Sequence, residues 1–219
     1  TAFSGKPQPP KLDGAWQLQC ASREETLLFQ DGYFTHTRYD LENKRFIQSR
    51  GGTFTVTGGK MTSQIEFNSS DAEEIGTKRD YQFSIKSGQL TWNGQTWKRV
   101  DDSSAPLAGV WRITGREQDG KLEAIHQAGT RKTLKILTGT RFQWVAIDPG
   151  AKSFSGTGGG TYTFANGKYT EHIEFFSRDS SRVGASLSFD GKLEEGKWHH
   201  SGLSSKGAKI YEVWSRIGQ

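Results

Sequence analysis

Apolar and polar residues alternate along most of the chain, and this pattern predicts β-strands. In residues 16–20 the apolar side chains Trp16, Leu18 and Cys20 share one face, and similar alternations recur up to residue 217. Turns such as Asn93-Gly94 separate these segments, as in β-hairpins. About eight or nine strands fit into residues 12–100, with almost no helix, and strands at this spacing favour a sandwich or a closed barrel.

One hairpin pattern occurs twice. Residues 51–67 read GGTFTVTGGKMTSQIEF and residues 159–175 read GGTYTFANGKYTEHIEF, with 10 of 17 positions identical at a constant offset of 108. A single hairpin cannot bury its apolar face, so the repeat predicts two equivalent β units. The glycine-rich stretch at residues 156–160 overlaps the start of the second copy and leads into a strand rather than a helix, which indicates a strand bend or a β-bulge.

The prolines and the repeat divide the chain into four parts. Residues 1–11, with three prolines, predict a flexible arm; residues 12–100 form the first unit; residues 101–106, DDSSAP, form a linker; and residues 107–217 form the second unit. The second unit carries an insertion at residues 115–129. Within it, residues 121–127 predict one or two turns of helix that end at Gly129.

The excess positive charge belongs to the second unit. The net charge is +5; residues 1–105 carry 13 basic and 13 acidic side chains, whereas residues 106–219 carry 16 and 11. The basic residues stand singly along strands, as at Arg131, Lys132, Lys135 and Arg141. We therefore expect a solvated sheet face and no nucleic-acid partner.

The sequence gives no signal for a metal, a cofactor or a membrane-spanning segment. The histidines lack metal-ligand spacing, no phosphate-binding or dinucleotide motif occurs, and no apolar run reaches about 18 residues. The single cysteine, Cys20, is expected to be free and buried. His36 is predicted to be a core histidine with a polar partner, His172 to face solvent, and the adjacent His199 and His200 to point in opposite directions.

A tryptophan–arginine pair frames each unit. Each unit opens with Gly-x-Trp, at Trp16 and Trp111, and closes with an arginine, at Arg99 and Arg216. This arrangement resembles the lipocalin signature, in which the arginine packs across the tryptophan at the closed end of an up-and-down barrel. The resemblance implies an all-β, calycin-like tandem of two small antiparallel up-and-down β-barrels, and a structural role for both pairs.

The second unit resembles a family of small exported bacterial lipocalin-like domains of unassigned function. The likeness lies in residues 140–144, 159–162, 169–174 and 212–216 and extends over nearly all of residues 107–217, whereas residues 12–100 match more loosely. It implies a barrel with an open mouth in an exported protein, and we interpret the start at Thr1 as the result of signal removal. Lipocalins carry a long loop over the mouth, so residues 115–129 are expected to form a lid.

The ligand site is expected inside the second barrel. Strand alternation turns Glu171 inward with Tyr169, and Glu212 inward with Trp214. Aromatic walls with a few polar groups are typical of small-molecule sites. The predicted ligand-binding residues are Phe142, Trp144, Tyr162, Tyr169, Glu171 and Glu212.

Three functions remain open. The preferred one is binding of a small apolar or amphipathic ligand in the second barrel, with the first barrel as a degenerate copy that serves docking or stability. An envelope interaction module with filled barrels and a protein or glycan partner is the alternative. A hydrolase or isomerase that uses Glu171 and Glu212 is the third. The two carboxylates also have a structural explanation, in which Arg112, Arg216 or a tyrosine satisfies them.

Overall fold

The structure, a computed structural model of the 219-residue chain, describes residues 11–204 and 206–218. Residues 1–10, which make up most of the predicted arm, lie outside the described residues. The described residues contain 17 strands and two short 3-10 helices, Ala72–Glu74 and Ser180–Arg182. The strands are β1 Gly14–Cys20, β2 Arg23–Gln30, β3 Tyr33–Asp40, β4 Arg45–Thr57, β5 Lys60–Asn68, β6 Lys78–Lys86, β7 Gln89–Trp92, β8 Gln95–Asp101, β9 Gly109–Gln118, β10 Lys121–Ala124, β11 Lys132–Leu137, β12 Arg141–Asp148, β13 Ser153–Ala165, β14 Lys168–Phe176, β15 Ser186–Glu194, β16 Lys197–Leu203 and β17 Lys209–Ile217.

The strands form two closed antiparallel up-and-down barrels, which confirms the predicted fold class. In the first barrel β1 to β8 pair in chain order, and β8 pairs back onto β1. In the second barrel β9 and β11 to β17 do the same, and β17 pairs back onto β9. Each barrel has eight strands, and β10 adds a short extension beside the far half of β9.

The repeated Gly-Gly pairs bend the longest strand of each barrel. The pairing register shifts between Gly51 and Gly52 in β4, and between Gly159 and Gly160 in β13. A Cβ atom on Gly160 would stand 2.0 Å from the carbonyl oxygen of His172, so only glycine permits this close approach. The bulge predicted from residues 156–160 is thus confirmed, and it lets one 13-residue strand run the whole height of each barrel.

An arginine covers a tryptophan at the closed end of each barrel. The Arg99 guanidinium lies 4.0 Å from the centre of the Trp16 ring, and Arg216 lies 4.2 Å from Trp111. The indole N–H of each tryptophan donates to the carbonyl oxygen four residues earlier, at 2.9 Å in both barrels. This is the packing that the lipocalin resemblance implies.

Large rings fill both barrels. The first core is built around Trp16, Phe34, Trp92 and Trp97, and all four are at most 1% exposed. The second core gathers a comparable set of rings and aliphatic side chains. Its buried members are Leu107, Trp111, Ile113, Leu137, Phe142, Tyr162, Tyr169, Phe189, Trp198 and Trp214.

The two barrels pack against each other through an apolar face with a polar centre. Leu28 and Tyr33 of the first barrel join Leu134, Ile136 and other side chains of the second in one buried cluster. Nearby, the buried amide of Gln143 bonds three hydroxyl groups, two of them from the first barrel. Because no polar group of that amide is left unpaired, the interface is specific as well as apolar.

Equivalent residues exchange roles across this interface. Phe67 of the first barrel packs against Phe154 of the second, with ring centres 6.1 Å apart. Phe175, the counterpart of Phe67, packs against Phe46, the counterpart of Phe154, at 6.4 Å. The barrels are therefore related by an approximate twofold axis, as the subunits of a symmetric dimer are.

Two local predictions are wrong. The segment predicted as helix, residues 121–127, begins with strand β10, because β11 covers only the first half of β9 and leaves the second half free to form a hairpin. The rest of the insertion, residues 125–129, is irregular. Cys20 is exposed rather than buried, since it lies at the last position of β1, beyond the packed rings.

Candidate functional site

A cavity of about 600 Å³ opens at the mouth of the second barrel, at the end opposite Arg216. The insertion forms one wall through β10, and the inward faces of β9, β11 and β12 form the floor. The lining residues are Ile113, Arg116, Gln118, Glu123, Ala124, Ile125, Arg131, Thr133, Ala146 and Arg178. We refer to this cavity as the mouth pocket.

Three arginines from separate segments surround the mouth pocket. Arg116 lies on β9, Arg131 precedes β11, and Arg178 follows β14. Arg178 is held in place: its Nε donates to the Ser155 carbonyl at 2.7 Å, and its guanidinium lies 5.7 Å from the centre of the Trp144 ring. With a single lining acid, Glu123, the mouth pocket is positively charged and suits an anion.

A β-bulge turns Arg116 into the mouth pocket. Strand β17 pairs Trp214 with Ile113 but Glu212 with Arg116, and the register shifts between them. Ile113 and Arg116 are three positions apart, so regular alternation would place them on opposite faces. The extra residue in β9 reverses the alternation, and both side chains therefore face the interior.

Glu212 lies directly beneath the mouth pocket, between two basic groups. Its Oε1 is 3.6 Å from Arg116 Nη2, and its Oε2 is 3.5 Å from His200 Nδ1. The indole of Trp214 also donates to Oε2, at 3.2 Å. Burial alone would raise the pKa of Glu212, but the contact with His200 and the charges of Lys135 and Arg116 bring this pKa below its ordinary value.

His200 is buried among rings and is poorly satisfied. Its side chain is 3% exposed, and within the described residues neither ring nitrogen makes a hydrogen bond of good geometry. The Phe189 ring centre lies 4.2 Å away and the Trp198 ring centre 5.3 Å away. Burial lowers the pKa of His200 below 6.5 and outweighs the opposing pull of Glu212, so the imidazole is neutral at pH 7.

A buried ion pair lies deeper in the second barrel. Lys135 Nζ donates to Glu171 Oε1 at 2.5 Å, and the Tyr169 hydroxyl donates to the same oxygen at 2.9 Å. The ammonium group is 4.9 Å from the Tyr169 ring centre and 5.1 Å from that of Trp198. Neither Arg112 nor Arg216 supplies the cation: Arg112 bonds the Arg131 carbonyl, and Arg216 bonds the carbonyls of residues 106 and 108.

The expectation of a solvated basic face is wrong for two residues. Lys135 is 5% exposed because the alternation of β11 turns it inward with Thr133. Arg141, also 5% exposed, faces the first barrel, where it donates to the Tyr39 hydroxyl at 2.8 Å and pairs with Glu174. Both basic groups are buried with partners.

The first barrel lacks this ion pair. At the offset of 108, Leu27 corresponds to Lys135 and Ser63 to Glu171. Its core instead holds His36, whose Nε2 lies 2.9 Å from Glu25 Oε2, as predicted for a satisfied core histidine. Burial nevertheless lowers the pKa of His36.

The six predicted ligand-binding residues lie below or beside the mouth pocket, and none lines it. Phe142, Tyr162 and Tyr169 pack in the second core, where the Tyr162 hydroxyl donates to the Thr138 carbonyl at 2.6 Å. Trp144 is half-buried beside Arg178 and Phe176. Glu171 lies deep in the barrel and Glu212 just beneath the mouth pocket.

Sequence reasoning missed the three arginines, Lys135 and His200 as parts of one site. For His200 a signal existed, because its predicted direction opposite to His199 is confirmed: His199 bonds Tyr211 on the outer face. His172 is exposed, as predicted.

Within the described residues, no group of three or more histidine, cysteine or acidic side chains is arranged to hold a metal ion. The same part of the chain contains no helix with the length and apolarity to cross a membrane. No protein-family model matches the chain, and no curated protein matches it at a significant level. The fold itself defines the class: two closed eight-stranded antiparallel barrels in tandem, the second with an arginine-lined mouth.

Proposed function

We propose that the second barrel binds a small amphipathic anion in the mouth pocket. The observation that carries this proposal is the convergence of Arg116, Arg131 and Arg178 on a cavity of about 600 Å³ whose floor includes Ile113 and Ala146. Guanidinium groups bind carboxylate, sulfonate or phosphate through paired hydrogen bonds, and an apolar floor accepts the rest of the ligand.

The mouth pocket favours a compact ligand over a long chain. Tyr169, Trp198 and Phe189 close the barrel beneath it, and each is at most 4% exposed. A ligand therefore lies across the mouth, with its apolar part against Ile113 and Ile125 and its charge toward the arginines. The expected lid becomes, in this proposal, the wall that β10 and residues 125–131 provide.

Export of the protein from a bacterial cell and kinship with the lipocalin-like domains remain part of this proposal. The arginine-over-tryptophan packing at both closed ends supports the kinship, and the expectation of export follows from that kinship. The alternative of an interaction module has weaker support, because the large apolar side chains exposed among residues 11–204 and 206–218 are aliphatic and form no aromatic patch. A hydrolase or isomerase that uses Glu171 and Glu212 has no support from the geometry, since each carboxylate has its own basic partner.

Fluorescence with two matched probes tests the proposal. 1-Anilinonaphthalene-8-sulfonate is an amphipathic anion, and N-phenyl-1-naphthylamine has the same rings without the sulfonate. We expect the anionic probe to bind at least tenfold more tightly, since a charge-assisted hydrogen bond contributes about 1.5 to 3 kcal/mol.

Arg131→Ala is expected to weaken binding of the sulfonate by about tenfold and to leave the neutral probe unaffected. Arg23 stands at the position equivalent to Arg131 in the first barrel, so Arg23→Ala is the matched control and should change nothing. Equal binding of both probes, or equal effects of the two variants, would overturn the proposal.

A further inference from the structure

Arg116 has two competing partners. Its guanidinium faces the mouth pocket, yet it is also the basic partner of Glu212, at 3.6 Å. On its other side Glu212 meets His200 at 3.5 Å, an imidazole that is 3% exposed and makes no well-formed hydrogen bond within the described residues. Both separations are longer than a charged hydrogen bond, so Glu212 can move toward either neighbour.

We propose that the mouth pocket takes up its anion together with a proton, which the His200–Glu212 pair holds. This inference rests on the proposed function. When His200 is protonated, it attracts Glu212 and releases Arg116 to the ligand. When the ligand engages Arg116, Glu212 loses that partner and holds the proton on His200 more firmly. The two events reinforce each other, so the anion binds more tightly as pH falls.

Charged groups from four strands surround this pair. Lys135 from β11 opposes protonation of His200, Glu171 from β14 favours it, and Glu212 from β17 favours it. Arg116 from β9 acts through Glu212. Because Lys135 and Glu171 neutralise each other at 2.5 Å, Glu212 is the acidic group whose partner changes on ligand binding.

A second histidine near the mouth could also make binding depend on pH, so its contribution must be excluded. His126 lines a cavity of about 230 Å³ that shares Ile113, Ile125 and Arg131 with the mouth pocket. A protonated His126 would attract an anion directly. The experiment therefore uses the full chain carrying His126→Gln as its reference.

The test is the dissociation constant of 1-anilinonaphthalene-8-sulfonate at pH 7.5 and pH 5.5, on either side of the ordinary histidine pKa of about 6.5. We expect binding at least about fivefold tighter at the lower pH. His200→Gln should abolish this ratio, and Glu212→Gln should give tight binding at both pH values. His172→Gln, which changes an exposed histidine, should keep the ratio. A ratio that persists in His200→Gln, or is missing from the reference, would overturn the proposal.

Nuclear magnetic resonance supplies a measurement that needs no variant of His200. The pKa of the His200 imidazole is followed by its ring proton signals, with and without saturating sulfonate probe. A fivefold affinity ratio between these two pH values requires the pKa to rise by at least about 0.7 on binding, because the coupling is reciprocal. An unchanged pKa in a protein that binds the probe through Arg131 would refute proton coupling and leave the proposed function standing. If Arg131→Ala does not weaken binding of the sulfonate probe, both the proton coupling and the proposed function are refuted.

Discussion

Replacing the Lys135–Glu171 pair with the residues of the first barrel tests how the second core is held together. Lys135→Leu alone leaves the Glu171 carboxylate 7% exposed with only the Tyr169 hydroxyl as partner. Glu171→Ser alone leaves an ammonium group among aromatic rings. Removing one member of a buried pair costs about 3 to 5 kcal/mol, whereas apolar replacement of both is often neutral.

The expected magnitudes follow from these contacts. Lys135→Leu should lower the free energy of unfolding by about 3 kcal/mol, and Glu171→Ser by slightly less, about 2 to 3 kcal/mol, because the surrounding rings still attract the ammonium group. The double variant should lie within about 1 kcal/mol of the wild-type protein, which amounts to a coupling of at least about 4 kcal/mol.

Urea titrations followed by tryptophan fluorescence measure all four proteins. Leu27 and Ser63 already occupy the equivalent positions in the first barrel, so the double variant uses side chains that this fold accepts. If the double variant loses the sum of the two single losses, the two groups do not stabilise each other and the reasoning fails. Single variants as stable as the wild-type protein would refute it as well.

Further predictions concern stability and use the same urea titrations. Burial lowers the pKa of both His36 and His200, so the unfolded chain binds more protons below about pH 6.5. Stability should therefore fall on acidification by up to about 1.4 kcal/mol per pH unit for each histidine, and a flat profile from pH 7.5 to pH 5.5 would contradict this. Arg99→Lys and Arg216→Lys should each lower the free energy of unfolding by about 1 to 2 kcal/mol, because lysine cannot stack flat on an indole while bonding two carbonyls. Variants as stable as the wild-type protein would refute the structural role of these arginines. Gln143→Leu should cost about 1 to 2 kcal/mol, because three buried hydroxyl groups each lose a hydrogen bond to the amide while keeping one other partner, and a gain in stability would refute that network.

The fold was predictable from the sequence because the evidence for it is repeated. A constant offset of 108 pairs whole hairpins, and Trp16, Arg99, Trp111 and Arg216 mark the same end of both barrels. The composition of the site depends instead on local departures from the regular alternation of side chains along a strand. The alternation rule puts Arg116 on the outer face of β9, and the bulge that reverses it arises from pairing with β17, which no local pattern records.

The inward position of Lys135 was predictable from the alternation of its strand. Its strand alternates Thr133, Lys135 and Leu137 on one face, and the equivalent of Lys135 in the first barrel is the buried Leu27. Both observations were present in the sequence. The general preference of lysine for solvent outweighed them, although a lysine with a buried acidic partner is the known exception.

The helix expected in residues 121–127 failed for a different reason. Propensity favours helix there, but the free half of β9 offers hydrogen bonds to an adjacent strand, and tertiary pairing prevails over local preference.

The most direct test of an anion site at the mouth of the second barrel is to locate where an anionic amphiphile binds. In amide and methyl correlation spectra, saturating 1-anilinonaphthalene-8-sulfonate is expected to shift signals of Ile113, Ile125, Thr133 and Ala146, which line the mouth pocket, and to leave the first barrel unchanged. Shifts concentrated in residues 12–100, at the contact between the barrels, or spread evenly over the surface would contradict an anion site at the mouth of the second barrel.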